Sequence, residues 1–167
     1  MSLLTKSTQN VDDLFFARSN KLESEFDELY ASLFRKPGPY LNIVMALGRR
    51  KSGLPRDELV AQTGMGSCGS LTRHLRELEE CGFIRKSLAF GKKAKGALYQ
   101  LIDNFTLFHL AFVGENKSND RCFWSGSSDS QFRVVWEDLA FERLCLQHVR
   151  EIKIALGWNI PSFCHLE

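Results

Sequence analysis

The apolar positions of this chain recur with two different periods, and the switch between them sketches its organisation. Residues 11–34 (VDDLFFARSNKLESEFDELYASLF) carry Leu22, Phe26, Leu29, Tyr30 and Leu33 at i, i+4, i+7, i+8, i+11, one face of an amphipathic helix. Lys36-Pro37-Gly38-Pro39 stops it, because proline lacks an N–H and biases the residue before it away from helix. A second helix is predicted from about Tyr40 to Arg50, with Leu41, Val44 and Leu47 inward, ended by Ser52-Gly53. Pro55 then opens a short helix with Asp57 and Glu58 in its first turn, where the dipole favours acids, and Leu59 and Val60 inward. Thr63-Gly64-Met65-Gly66 is a tight turn. A third helix over 67–81 places Leu71, Leu75 and Leu78 on one face, with Gly82 as its natural C′ residue.

The period then shortens. Residues 83–88 and 97–102 lean towards strand and are joined by the glycine-bounded turn 91–96, so the pair reads as a hairpin. The expected buried set is Leu71, Leu75, Leu78, Phe83, Ile84, Leu98 and Tyr99. Residues 104–113 are apolar enough for a packed helix, 115–131 are polar and loop-like, and 133–156 form a last long helix. On that helix Cys145, Val149, Ile152 and Leu156 line an apolar face that also carries Glu142. The predicted fold class is mainly α (α+β): a winged helix-turn-helix with flanking helices. The predicted division is an N-terminal helical arm (1–36), the winged domain (37–114), a polar linker (115–132) and a C-terminal helical appendage (133–167). Met1-Ser2-Leu3 and Leu166-Glu167 are set aside as cloning scars.

Charge sharpens this picture. The net charge of +2 hides a basic middle: residues 35–100 carry 13 Lys/Arg against 5 Asp/Glu, whereas 1–34 and 101–167 are each −3. Such a segment either meets a polyanion or docks on the acidic flanks. With the three leucines at the core, Arg73 and Arg76 fall on the outward face of the third helix, flanked by Thr72. Arginine is the side chain that reads guanine bidentately. Ser67, Ser70 and the first-turn N–H groups suit phosphate. Glu77 and Glu80 share the outward face and oppose deep docking of its C-terminal half. Lys92, Lys93 and Lys95 at the wing tip, with Arg85 and Lys86 at its base, are point charges and forks suited to sequence-independent phosphate contact. The expected partner is double-stranded DNA, bound weakly and with little sequence preference. A second expectation is self-association through the C-terminal helix.

Other chemistries lack their context. Gly64-Met65-Gly66-Ser67-Cys68-Gly69 spells G-x-G-x-x-G but follows a helix, not a strand, so a dinucleotide fold is excluded. No Walker A loop occurs. Five scattered cysteines read as reduced thiols of a cytoplasmic protein, Cys145-x-x-His148 and Cys164-His165 lack a second metal-binding pair, and no cysteine is marked as a nucleophile. No apolar run is long enough for a membrane span. Neither cofactor nor metal is expected, and the chain is read as non-enzymatic by itself.

Taken together, residues 25–34, LTRHLRELEECGFIRK (71–86), FGKKAKGALYQLIDNFTLFHLAF (90–112) and VVWEDLAFERLCLQHVREIKIALG (134–157) resemble the C-terminal half of bacterial and archaeal AAA/STAND-type P-loop ATPases. The resemblance implies an ATPase module before the winged helix and a PD-(D/E)xK nuclease-like domain after it, with Glu142 at the first acidic nuclease position. The ATPase module has no counterpart here, and the chain stops 25 residues after Glu142. Glu151-Ile152-Lys153 spells E-x-K but falls in a helix. The expectation is a fragment or truncated gene product to which neither ATP hydrolysis nor nuclease activity transfers. The alternative to DNA binding is a coupling module of such an ATPase, without DNA affinity.

Overall fold

A computed structural model describes residues 3–17, 22–66, 69–88, 96–116 and 119–158. The chain divides into two compact units, 1–125 and 126–167. The fold is mainly α with one small antiparallel sheet.

In the first unit α1 (Leu3–Phe15) and α2 (Glu23–Leu33) precede α3 (Gly38–Gly48), β1 (Leu54–Pro55), α4 (Arg56–Thr63), α5 (Gly69–Glu80), β2 (Ile84–Leu88) and β3 (Ala97–Leu101), which is the order read from the sequence with one strand, β1, added. Each helix is present for a visible reason. Buried Tyr40, Ile43, Val44 and Leu47 give α3 an i, i+3, i+4, i+7 face. Gly64, left-handed at φ 64°, closes α4. Gly82, at φ 78°, ends α5: its N–H reaches Glu79 O at 3.0 Å, and the Phe83 N–H reaches Leu78 O at 2.9 Å. That paired bonding is the Schellman closure, with Phe83 buried behind it.

The strands lie in the order β1-β3-β2. Leu54 faces Tyr99 across β1 and β3, and Ile84 faces Leu101 at the open end of the β2–β3 hairpin. The connection over 89–95 lies outside the described residues. One core joins α2, α3, α4, α5 and the sheet through Phe26, Tyr30, Ile43, Leu59, Leu71 and Ile84, among others.

The flanks are more elaborate than their periodicity suggests. The helix expected over 11–34 is two elements, and Leu33 is exposed while Phe34 takes the inward position and stacks on Tyr40 at 3.8 Å. Pro55 belongs to a two-residue strand rather than the start of a helix, because Leu54 and Pro55 pair with β3. Leu98 is only half-buried: Ala97, Tyr99 and Leu101 point inward, and a strand alternates. Residues 104–113 are a short α6 (Asn104–Phe108) that runs into a π-helical turn (His109–Val113). Asp103 caps α6 by accepting the Thr106 N–H at 2.7 Å, and Thr106 Oγ1 meets the buried Tyr30 hydroxyl at 3.0 Å.

The polar stretch 115–131 also contains structure. Phe123–Gly126 form α7, and the buried carboxylate of Asp12 accepts the Trp124 N–H at 2.9 Å and the Ser125 N–H at 3.1 Å. Asp12 therefore caps a helix 112 residues downstream, next to an aromatic cluster of Phe16, Phe108, Phe112, Phe123 and Trp124.

The second unit holds α8 (Gln131–Gln147) and α9 (Val149–Ala155). The single helix expected over 133–156 is broken at His148, whose backbone (φ −111°, ψ 22°) is not helical. Cys145 on α8 and Val149 and Ile152 on α9 therefore do not share one continuous face. Neither helix has a buried residue, and Phe141, Ile154 and Trp158 are each more than 60% exposed. Glu137 holds Arg133 at 2.9 Å. Among the described residues no helix is long and apolar enough to cross a membrane.

Candidate nucleic-acid interface

Burying Leu71, Leu75 and Leu78 turns the other side of α5 to solvent, so Ser70, Thr72, Arg73 and Arg76 are all exposed. The two arginines do not stand alone there. Arg73 Nε lies 3.9 Å from Glu77, and Arg76 Nε lies 3.5 Å from Glu80, each an i,i+4 pair. Arg56, at the start of α4, donates to Thr72 Oγ1 at 2.8 Å and ties the two helices together. Exposed pairs such as Arg76–Glu80 contribute only ~0–1 kcal/mol, so a phosphate can displace that carboxylate. They still cancel the charge that α5 presents at a distance.

Glu77 differs from the solvated acid its sequence position suggests. It is half-buried and accepts a short hydrogen bond from the Tyr40 hydroxyl of α3. Burial, then that bond, push the Tyr40 hydroxyl up to about 12. Beside it His74 is buried, packed edge-on to Tyr40 at 4.5 Å, with no partner for Nδ1. Burial, helped by Arg73, holds its pKa below the usual histidine value. A groove of about 820 Å³ runs along this side of α5, lined by Phe34, Lys36, Tyr40, Arg73, His74 and Glu77 among others.

The hairpin separates its two basic base residues. Arg85 lies opposite Gln100 and Lys86 opposite Tyr99, so the side chains leave β2 on opposite faces. Arg85 Nη2 donates to Gln100 Oε1 at 2.9 Å, and the Lys86 N–H reaches Glu79 Oε1 at 3.3 Å. Ser67, Lys92, Lys93 and Lys95 lie outside the described residues. The site thus brings Ser70, Thr72, Arg73 and Arg76 onto one helix face and sets Arg85 apart from them on the sheet.

Three cations escaped the sequence reading, Arg49, Arg50 and Lys51, which follow α3 and lead through the turn into β1. The signal was present as three adjacent basic residues before a glycine. Only the bond from the Gln100 side chain to the Lys51 carbonyl shows which strand this turn meets.

No protein-family model, curated protein or solved structure matches the chain.

Proposed function

We propose that residues 38–101 are a winged helix that binds duplex DNA weakly and with little sequence preference, without catalytic activity of its own. The observation that carries this reading is α5. It follows a short helix and a glycine turn, exposes Ser70, Thr72, Arg73 and Arg76 on its outward side, and stands beside a hairpin bearing Arg85 and Lys86. A helix presented in this way fits a major groove, and its polar N-terminal half suits phosphate. The paired glutamates limit affinity to the micromolar range or weaker, since one small module makes few phosphate contacts. In this reading the chain uses no cofactor, and Glu142 and the E-x-K triplet on α9 take no catalytic part.

Fluorescence anisotropy of the full chain with a labelled duplex tests this at ~50 mM salt, where electrostatic binding is strongest. Binding that weakens as salt rises is expected. Absence of binding at high protein concentration supports the second reading, a coupling module of an AAA-type ATPase without DNA affinity. The exposed apolar side chains of α8 and α9 favour that alternative, and self-association through them is checked by sedimentation over a range of concentrations.

A further inference from the structure

We infer that the main phosphate-binding surface is not α5 but a basic platform at the open end of the hairpin, built from the turn after α3 and the outer side of β2. This rests on the DNA-binding reading above and specifies which face performs it.

The platform is assembled by the backbone. Gly53, at φ 82°, presses the turn onto β3 so closely that a Cβ there would sit 2.6 Å from the Tyr99 carbonyl oxygen. The Gly53 N–H closes the turn on Arg50 O at 2.9 Å. The side-chain amide of Gln100 then joins both parts: Nε2 donates to Lys51 O at 2.7 Å, while Oε1 accepts from Arg85 at 2.9 Å. One amide therefore joins the turn that carries Arg49, Arg50 and Lys51 to the strand that carries Arg85, and all four residues are exposed.

The charges of the two faces differ in kind. On α5, two arginines each have a carboxylate one turn on, and the four charges cancel. On the platform Arg50 has Glu58 at 3.7 Å, while Arg49 and Arg85 form no ion pair among the described residues. Arg85 is met by a neutral amide, which orients its fork and leaves its full charge, with further N–H donors, for a phosphate. At physiological salt the screening length is ~8 Å, so the cancelled pairs of α5 attract little beyond contact, while the platform attracts from further out. Arg85 and Gln100 lie one residue in from the open end of the hairpin, Ile84–Leu101, and three pairs from its last described pair, Leu88–Ala97.

The test is anisotropy of the full chain with a labelled duplex between ~50 and 200 mM salt, circular dichroism confirming the fold of each variant. Arg49→Ala/Lys51→Ala/Arg85→Ala should lower affinity about ten-fold and reduce the slope of log K against log salt by about 2–3, near 0.9 per lost phosphate. Arg73→Ala/Arg76→Ala should change affinity less than about three-fold. Should the triple variant fold poorly, Arg49→Gln/Lys51→Gln keeps the Arg85–Gln100 bond and should reduce the slope by about 1–2. Binding that survives either platform variant unchanged but collapses in the α5 double variant overturns this inference and leaves the DNA-binding reading standing. No binding by the unaltered chain overturns both.

Discussion

The outward face of α5 and the open end of the hairpin are made from the same few residue types, yet one is electrically closed and the other open. On α5 helical geometry sets the outcome: residues four apart are neighbours, so Arg73 meets Glu77 and Arg76 meets Glu80. At the hairpin, strand register and a glycine turn set it: Arg85 meets Gln100, and Lys51 is brought to the same amide from 49 residues away. A count of lysines and arginines treats the two faces as equals. The acids beside them, and whether those acids are held, distinguish the two.

The strongest way to erase the comparison is to remove what both faces stand on. Leu78 is fully buried in the core shared by α5 and the sheet. Leu78→Ala should cost about 2–5 kcal/mol of stability, the usual range for a core leucine, measured by urea unfolding. A loss below 1 kcal/mol would mean that α5 is not seated on this core.

Gly53→Ala should separate the faces. Its Cβ would meet backbone, not a flexible side chain, at a left-handed φ, so a cost of about 1–3 kcal/mol is expected. The displaced turn should weaken the platform while leaving α5 pairing intact. An unchanged melting temperature would show that the turn is not pressed on β3.

Acid should act on the α5 side through His74. Its folded pKa is held below the unfolded value of about 6.5, so below that pH the unfolded chain takes up the proton first. Stability is therefore lost as pH falls through 6.5 towards the folded pKa, by at most about 1.4 kcal/mol per pH unit. Arg73, Glu77 and Tyr40 are the polar groups facing it. Comparing unfolding of the unaltered chain and His74→Leu between pH 7.5 and 5 isolates this slope, which the variant should lack. Equal slopes would contradict the assignment.

The smallest expected effect is the most specific. Glu77→Gln keeps an acceptor for Tyr40 but removes the charge beside Arg73. Stability should fall by about 0.5–1.5 kcal/mol, while duplex affinity rises two- to five-fold and the salt slope steepens by about 1. Unchanged affinity would show that the pair does not restrain α5.

The sequence made the hydrophobic architecture of residues 38–101 largely readable, because leucine spacing, two glycine stops and a change of period all agree. It was misleading where long-range partners decide. Leu98 and Tyr99 both read as inward, but strand alternation buries Tyr99 and leaves Leu98 half-exposed, and Phe34 displaced Leu33 because the stack on Tyr40 lies across a turn. Asp12 gave no local sign of capping a helix 112 residues on. The arginines of α5 were legible as exposed, and Glu77 as their neighbour. Its bond to Tyr40 was not, since that contact joins α3 to α5. The platform was invisible for the same reason: its cations come from two segments that only β3 brings together.

The most direct measurement is a ¹⁵N-edited NMR titration of the full chain with a short duplex, following backbone amides together with arginine Nε and glutamine side-chain signals. The account predicts salt-sensitive shifts centred on the Lys51 and Gly53 amides, Arg85 Nε and the Gln100 side-chain amide, with smaller changes at Arg73 and Arg76. Shifts confined to α5, or none in residues 38–101 at millimolar duplex, would contradict it.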